Sequence, residues 1–177
     1  PVTIEAVGLY IHIPFCLRKC HYCDFVSFSG RRNLWGSYLQ VLLEEIQALP
    51  PLRPRTLYVG GGTPTIWPTE SLTAIIQAAR EIGLAQEAEA TVEANPGTVK
   101  AETLSELRRA GYNRLSLGVQ STFNANLHLL GRVHNYSDAR RAILWAREAG
   151  FTNVNIDLIY GLPGQSLLDW QRDLGRA

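Results

Sequence analysis

Short apolar runs and segments with helical spacing alternate five times along this chain. Between the runs, apolar residues recur at three- and four-residue steps, as from Trp35 to Tyr38 and Leu42. Strands that alternate with helices of this length form a parallel sheet, because each parallel connection must cross back over the sheet. The pattern predicts an α/β fold with outer helices. The predicted strands are residues 8–15, 56–60, 90–94, 114–119 and 153–160.

Three of the predicted helices end in the same way. Gly83, Gly111 and Gly150 each precede an apolar residue that leads into the next strand, and glycine readily takes the left-handed conformation that closes a helix. Ser137 is the expected N-cap of the fourth helix. A fifth strand and helix end the pattern, so we expect one domain over residues 1–177 that is an incomplete part of a larger barrel. The helical patterns cover residues 35–49, 72–79, 104–107, 137–149 and 167–174.

The composition excludes several classes of protein. A 177-residue chain with 46% hydrophobic and 19% charged residues is typical of a folded globular domain. The net charge of +1 gives no reason to expect nucleic acid as a partner. No apolar run reaches 18 residues, so no membrane segment is expected. Three cysteines on one short loop do not form an extracellular disulfide framework, which favours the cytoplasm.

Polar and glycine-rich segments follow the predicted strands at the positions where the strands end. Residues 60–62 are three glycines, and Glu93, Gln120 and Asp157 lie at or near the ends of the next three strands. The carboxyl ends of parallel strands meet at one edge of a sheet, where α/β proteins bind their ligands. The pattern therefore predicts one ligand site at this edge.

Taken singly, each of these residues has an ordinary structural explanation. Carboxylates such as Glu93 and Asp157 cap helices or form salt bridges, and a run of glycines is most often a tight turn. Their shared position favours a functional site over these alternatives. Packing or loop hydrogen bonding is the ordinary explanation for Tyr10, Tyr22, Gln120, His128, Arg132 and His134.

The only cysteines of the chain are Cys16, Cys20 and Cys23, directly after the first predicted strand. Three thiolates can hold three irons of a cubane cluster and leave the fourth iron open, whereas electron-transfer clusters use four cysteines. A zinc site with His12 or His21 as the fourth ligand is the alternative. Zinc ligands are usually divided between two separated pairs, so the compact trio favours an iron–sulfur cluster.

These motifs together resemble the radical S-adenosylmethionine (SAM) superfamily. Cys-x3-Cys-x2-Cys follows the first strand and Gly-Gly-Gly-Thr-Pro follows the second. The segments at residues 10–16, 93–97, 113–120 and 157–165 narrow the resemblance to the oxygen-independent coproporphyrinogen III oxidase-like family. Within that family the chain is most similar to the haem chaperones named HemW. The similarity extends over nearly the whole chain from Gly8 onward.

The resemblance implies a partial (β/α)6-type barrel that contains a [4Fe–4S] cluster on the three cysteines. The amino and carboxylate groups of SAM would bind the open iron, and the reduced cluster would split SAM into methionine and a 5′-deoxyadenosyl radical. Arg132 would pair with the SAM carboxylate. The amino group of SAM would be met by Gly61, Gly62 and Thr63. The ribose and neighbouring polar atoms would be bound by Glu93, Gln120 and Asp157. On the cluster side the implied contacts are Tyr10 and Tyr22.

One departure separates the two relatives. The oxidase pattern is Cys-x3-Cys-x2-Cys-x-Cys, whereas Asp24 and Phe25 follow Cys23 here. This difference favours a haem chaperone that delivers haem to respiratory proteins, including membrane-protein clients, and receives electrons from a donor protein. Coproporphyrinogen III oxidation remains the alternative, so the resemblance leaves open whether the chain is an enzyme. A zinc-stabilised binding module is the third hypothesis.

Overall fold

The computed structural model describes residues 7–177 and contains one parallel five-stranded sheet. The strand order is β1-β4-β5-β6-β7, so the five strands of this sheet lie side by side in the order in which they occur along the chain. Two short strands, β2 and β3, form a separate parallel pair. The predicted α/β fold with a parallel sheet is confirmed. The strands are β1 (Gly8–Ile13), β2 (Phe15–Cys16), β3 (Phe28–Ser29), β4 (Thr56–Gly61), β5 (Glu89–Ala94), β6 (Arg114–Gln120) and β7 (Asn153–Leu158).

The helices connect the strands and contact one another in sequence order. Contacts join α1 to α2, α2 to α3, and α3 to α5, as expected when parallel crossovers cover the sheet with a helical layer. Among residues 7–177, no helix is both long enough and apolar enough to cross a bilayer. The helices are α1 (Trp35–Gln47), α2 (Thr69–Glu81), α3 (Ala101–Ala110), α4 (Asn124–Leu129), α5 (Tyr136–Glu148) and α6 (Leu167–Arg176).

The hydrophobic core lies between the sheet and these helices. Val59 and Val92 of the sheet and Leu72 of α2 are fully buried. Each buried aliphatic side chain stabilises the fold by about 1.5–3 kcal/mol. Tyr112 is fully buried as well, and its hydroxyl donates to the main-chain oxygen of Leu72 at 2.8 Å. The core therefore fixes the strands whose ends form the site.

The glycines that were expected to close helices adopt the predicted conformation. Gly83, Gly111 and Gly150 have φ values of 102°, 117° and 90°. The expected N-cap of α5 is wrong, because Asn135 caps this helix instead of Ser137. The Asn135 side chain accepts from the main-chain nitrogen of Asp138 at 3.0 Å, and the Asp138 carboxylate accepts from Asn135 N at 3.0 Å. This reciprocal pair satisfies two N–H groups and leaves no capping role for Ser137.

The predicted strands differ from the observed ones near the site. Residues 8–15 do not form one strand, since β1 ends at Ile13. Pro14 has no N–H to donate, and its carbonyl accepts instead from Phe28 N at 2.8 Å. Strand β7 ends at Leu158 instead of residue 160, and the short helix α4 was not predicted. The single-domain prediction for residues 1–177 includes residues 1–6, which lie outside the described part.

Candidate functional site

A cavity of about 610 Å³ lies at the carboxyl ends of the strands. It brings together eleven of the twelve residues predicted from the sequence, and Tyr10 is the exception. The three cysteines are half-buried in its wall. The predicted residues that line it are Cys16, Cys20, Tyr22, Cys23, Gly61, Gly62, Thr63, Glu93, Gln120, Arg132 and Asp157.

The segment from Cys16 to Cys23, called the cysteine loop below, starts within the small β2–β3 pair. Cys16 is opposite Ser29 there, and the hydroxyl of Thr63 lies 3.6 Å from the Cys16 Sγ atom. Cys23 N donates to the Cys20 oxygen at 3.2 Å, so the last two cysteines share a turn. This turn keeps Cys20 and Cys23 close together beside the cavity that Cys16 also lines.

Histidine side chains hold the cysteine loop and the residues that follow it. His12 Nε2 donates to the Val26 oxygen at 2.8 Å, which leaves Nδ1 to accept from the Tyr10 hydroxyl at 3.0 Å. His21 Nδ1 lies 3.0 Å from the Leu129 oxygen at the end of α4. Both ring nitrogens of His12 are engaged, which argues against His12 as a zinc ligand. Tyr10 contacts the loop region indirectly, through His12.

Arg132 links the cysteine loop to the end of β6. Its Nη1 donates to the Cys20 Sγ at 3.4 Å and to the Tyr22 hydroxyl at 3.3 Å, and its Nη2 donates to the Gly118 oxygen at 2.6 Å. Burial raises the pKa of Tyr22 to about 12, although the Arg132 cation opposes this shift. The buried Nε of Arg132 has no hydrogen-bond partner among the described residues. An oxygen acceptor from a ligand would satisfy it.

Glu93 is held by groups from the neighbouring strand. Its Oε1 accepts from the Tyr58 hydroxyl at 2.7 Å, and its Oε2 accepts from Gly61 N at 3.0 Å. Burial, together with this hydrogen bond, raises the pKa of Tyr58. Glu93 is thus fixed by the strand end and caps no helix. Each of its oxygens retains capacity for a further donor.

The glycines after β4 permit close packing against the base of the cysteine loop. A Cβ atom on Gly61, whose φ is 113°, would lie 2.6 Å from the His12 ring. A Cβ atom on Gly62 would lie 2.5 Å from the Phe15 oxygen. Real Cβ atoms do not approach so closely, so both positions require glycine for steric reasons that are independent of any ligand.

Asp157 belongs to a polar group on β6 and β7. Asn155 Nδ2 donates to Asp157 Oδ1 at 2.8 Å and to Ser116 Oγ at 3.0 Å. Neither Asn155 nor Ser116 was singled out from the sequence. Ser116 and Asn155 lie further from the ends of their strands than Gln120 and Asp157 do, and an ordinary polar residue inside a strand gives no signal of a site.

Gln120 lies at an irregular end of β6. The register against β7 shifts between Leu117 and Gln120, and Gln120 has a φ of 73°. A Cβ atom on Gly118 would lie 3.0 Å from Gln120 Nε2 and 3.1 Å from Arg132 Nη2. Gly118 therefore leaves the space that both side chains occupy beside the cavity.

The two other histidines have different surroundings. His128 is exposed, as expected, whereas His134 is buried. His134 Nε2 lies 3.1 Å from the Val119 oxygen, and Nδ1 lies 2.9 Å from Asn95 Oδ1. Burial and the nearby Arg132 cation lower the pKa of His134 to about 4, and these effects outweigh the Val119 carbonyl, which raises it.

The donor set fits an iron–sulfur cluster. Among residues 7–177, no three His, Cys, Asp or Glu side chains are grouped for a single metal ion. A cubane cluster needs thiolates that face a larger common space, because each cysteine binds a different iron. Cys16, Cys20 and Cys23 meet this requirement at the cavity.

Comparisons with known proteins agree with this arrangement. Residues 10–176 match the Radical SAM superfamily. The protein named Heme chaperone HemW from Escherichia coli (strain K12) is 40% identical over 99% of this chain and 48% of its own length. Heme chaperone HemW from Bacillus subtilis (strain 168) is 39% identical over 95% of this chain and 46% of its own length. The chain thus spans about half the length of these curated relatives.

A solved structure gives the same result for the fold. Coproporphyrinogen III oxidase (HemN) from Escherichia coli, described as a radical SAM enzyme, superimposes with a TM-score of 0.87 and 34% identity. The superposition covers 97% of this chain and 41% of that protein. The chain therefore belongs to the radical SAM superfamily, and its resemblance to the group that includes HemN and the HemW-named proteins is confirmed.

Proposed function

We propose that Cys16, Cys20 and Cys23 hold a [4Fe–4S] cluster and that SAM binds its fourth iron inside the cavity. The observation that carries the proposal is that three thiols share one cavity with a guanidinium and two carboxylates, supplied by Arg132, Glu93 and Asp157. When bound, the reduced cluster would supply one electron that breaks the C5′–sulfur bond of SAM, giving methionine and a 5′-deoxyadenosyl radical.

Arg132 would bind the carboxylate of SAM. Two of its nitrogens already contact Cys20 and Gly118, and its buried Nε has no partner among the described residues. A charge-assisted bond to a carboxylate oxygen would satisfy this N–H group. Arg132 would thereby orient the ligand next to the cysteine that it contacts.

Gly61, Gly62 and Thr63 would meet the amino group of SAM. The N–H groups of Gly62 and Thr63 are used, because they donate to the Ile13 and Phe15 oxygens at 2.8 Å each. Main-chain oxygens in this segment are therefore the suitable partners for an ammonium group, which has donors only.

Glu93, Gln120 and Asp157 would accept hydrogen bonds from the ribose and nearby polar atoms of SAM. All three side chains offer oxygen acceptors and line the cavity. Tyr22 would pack on the cluster side, and Tyr10 would support that side through its hydrogen bond to His12.

At the level of the whole protein, we propose a haem chaperone that binds haem and delivers it to respiratory haem proteins. Identity of about 40% to proteins named Heme chaperone HemW supports this assignment. A reducing cytoplasm suits three cysteine ligands. The membrane-protein clients and the electron donor are part of this proposal, because the chain spans only about half the length of the relatives it matches.

Coproporphyrinogen III oxidation is the second candidate function. The TM-score of 0.87 to the oxidase HemN favours it, and the three-cysteine motif suits both functions. Phe25 occupies the position of the additional cysteine in the oxidase pattern, which favours the chaperone.

Anaerobic reconstitution with iron and sulfide, followed by haem titration, tests the proposal. The full-length protein should bind about one haem per chain and form no protoporphyrinogen from coproporphyrinogen III, SAM and reductant. Formation of that product would overturn the chaperone as the sole function. Failure to take up iron, with uptake of zinc instead, would support the zinc-binding module.

A further inference from the structure

A buried carboxylate lies behind the cavity wall at Asp173 of α6. Its side chain is 0% exposed, and it is the only buried residue of that helix. No arginine, lysine or histidine of the described chain lies within salt-bridge distance of it. A buried carboxylate is unfavourable unless hydrogen bonds replace its hydration, so its surroundings require an explanation.

Three of the four donors to Asp173 come from the two residues after Gln120. Its carboxylate accepts from Ser121 Oγ at 3.0 Å, from Thr122 Oγ1 at 2.7 Å and from Thr122 N at 2.5 Å. Gln165 Nε2 is a fourth donor at 3.4 Å. Four donors converge on one carboxylate, which fixes the backbone of residues 121–122 against α6.

Gln120 itself has a backbone conformation that needs such support. A φ of 73° lies in the left-handed region, which is unfavourable for a residue with a Cβ atom. The Gln120 oxygen accepts from Ile159 N at 2.9 Å, which holds one side of the residue. Asp173 holds the other side. We propose that Asp173 is a positioning residue that keeps Gln120 in this conformation, with its side chain at the cavity.

This network also reaches the two loops beside the cavity. Ser121 Oγ accepts from Asn126 Nδ2 of α4 at 3.1 Å, and the end of α4 holds the cysteine loop through His21. Gln165 Oε1 accepts from Gly161 N at 2.8 Å and from Leu162 N at 3.2 Å, in the loop after β7. Helix α6 thus fixes the cavity wall from its far side. Asp173 itself does not line the cavity.

The inference rests on the proposed binding of SAM next to Gln120. The test compares SAM affinity and iron content in the reconstituted chain for Asp173→Asn, Gln120→Ala and the double variant. Asparagine has nearly the same size as aspartate. Its NH2 group, however, cannot accept the hydrogen bonds that the carboxylate accepts from Ser121 and Thr122. Asp173→Asn should weaken SAM about tenfold, equivalent to one lost hydrogen bond, with unchanged iron content. If Asp173 acts through Gln120, the double variant should bind SAM no more weakly than Gln120→Ala alone.

Asp169→Asn is the matched control on the same helix. Asp169 belongs to the capping box with Ser166, so this variant should destabilise α6 and leave the SAM affinity unchanged. Equal weakening by Asp169→Asn and Asp173→Asn would overturn the inference, since general loss of α6 would explain both. Additive losses in the double variant would overturn it as well.

Two further outcomes keep the test decisive. If Gln120→Ala leaves SAM affinity unchanged, the proposed SAM contact fails and the positioning role fails with it. If Gln120→Ala weakens SAM but Asp173→Asn does not, only the positioning role fails. Should Asp173→Asn be insoluble, Ser121→Ala removes one donor to Asp173 and should still weaken SAM; unchanged affinity in that variant would overturn the inference.

Discussion

The guanidinium of Arg132 lies 3.4 Å from the Sγ atom of Cys20, although 112 residues separate them in sequence. The same side chain donates to the Gly118 oxygen at the end of β6. One residue therefore joins the thiols to the strand ends, where the other candidate ligands lie. This contact makes the cysteine loop and the polar edge of the sheet parts of one site.

Separate roles for the cysteines and the carboxylates give the first prediction. Cys20→Ala should lose the cluster, because only two of the three thiolate ligands would remain. Asp157→Ala should retain the cluster and weaken the binding of SAM. Iron content and the visible absorption band of the reconstituted variants measure this difference. Glu81→Gln, an exposed change on α2, is the control and should match the wild type. Equal loss of iron from Cys20→Ala and Asp157→Ala would contradict the assignment.

The space next to Gly118 gives the second prediction. In Gly118→Ala, the new Cβ atom would lie 3.0–3.1 Å from the ends of Gln120 and Arg132. Both side-chain ends must shift, so SAM affinity should fall about tenfold. The free energy of unfolding should change by no more than about 1 kcal/mol, because the two neighbouring atoms are the ends of long side chains and alanine is favoured over glycine within a strand. Equilibrium dialysis with SAM and urea unfolding measure the two effects.

Gly36→Ala is the control for Gly118→Ala. Gly36 lies in α1, and a Cβ atom there would contact nothing within 4 Å. This change should leave SAM affinity unaltered and stabilise the helix by about 0.5–1 kcal/mol. Unchanged affinity in Gly118→Ala as well would show that neither neighbouring side chain contributes to binding.

The buried imidazole of His134 gives a prediction on pH. Its pKa is lowered to about 4 in the folded protein, so between pH 4 and 6.5 the unfolded chain binds more protons than the folded one. Stability therefore rises with pH across this window and is lost as the pH falls. From pH 7 to pH 5 the free energy of unfolding should decrease by up to about 2 kcal/mol through this group.

Urea unfolding of His134→Gln and His128→Gln at both pH values isolates the effect. The His134 variant should lose this part of the pH dependence, whatever its stability at pH 7. The His128 variant should retain it, because His128 is exposed. Identical pH dependence in the wild type and His134→Gln would contradict the role of burial.

The hydroxyl of Tyr112 gives a prediction on stability alone. In Tyr112→Phe, the main-chain oxygen of Leu72 loses a buried donor at 2.8 Å. The free energy of unfolding should fall by about 1–2 kcal/mol, while iron content and SAM affinity remain unchanged because Tyr112 lies outside the cavity. Loss of SAM affinity in this variant would mean that the core and the site are coupled.

The sequence predicted the sheet and the edge that holds the site, because apolar periodicity and the strand-end residues are local signals. Glu93, Gln120 and Asp157 each lie at or near the end of a predicted strand, and all three line the cavity. The helix-closing glycines were likewise predictable, since Gly111 has the left-handed φ that such a position favours.

Contacts between distant residues could not be predicted in this way. In the sequence, nothing distinguishes Asp173 from the other polar residues of a helix. Only the fold places its carboxylate against Ser121 and Thr122. The break at Pro14 was missed because apolar residues continue on both sides of it. The role of Asn135 as N-cap was also missed, since Ser137 is an equally good capping residue type.

Mössbauer spectroscopy of the reconstituted chain, before and after addition of SAM, tests the central claim most directly. Three cysteine ligands predict one iron site that differs from the other three and whose isomer shift changes when SAM binds. Four equivalent irons that do not respond to SAM would contradict the account.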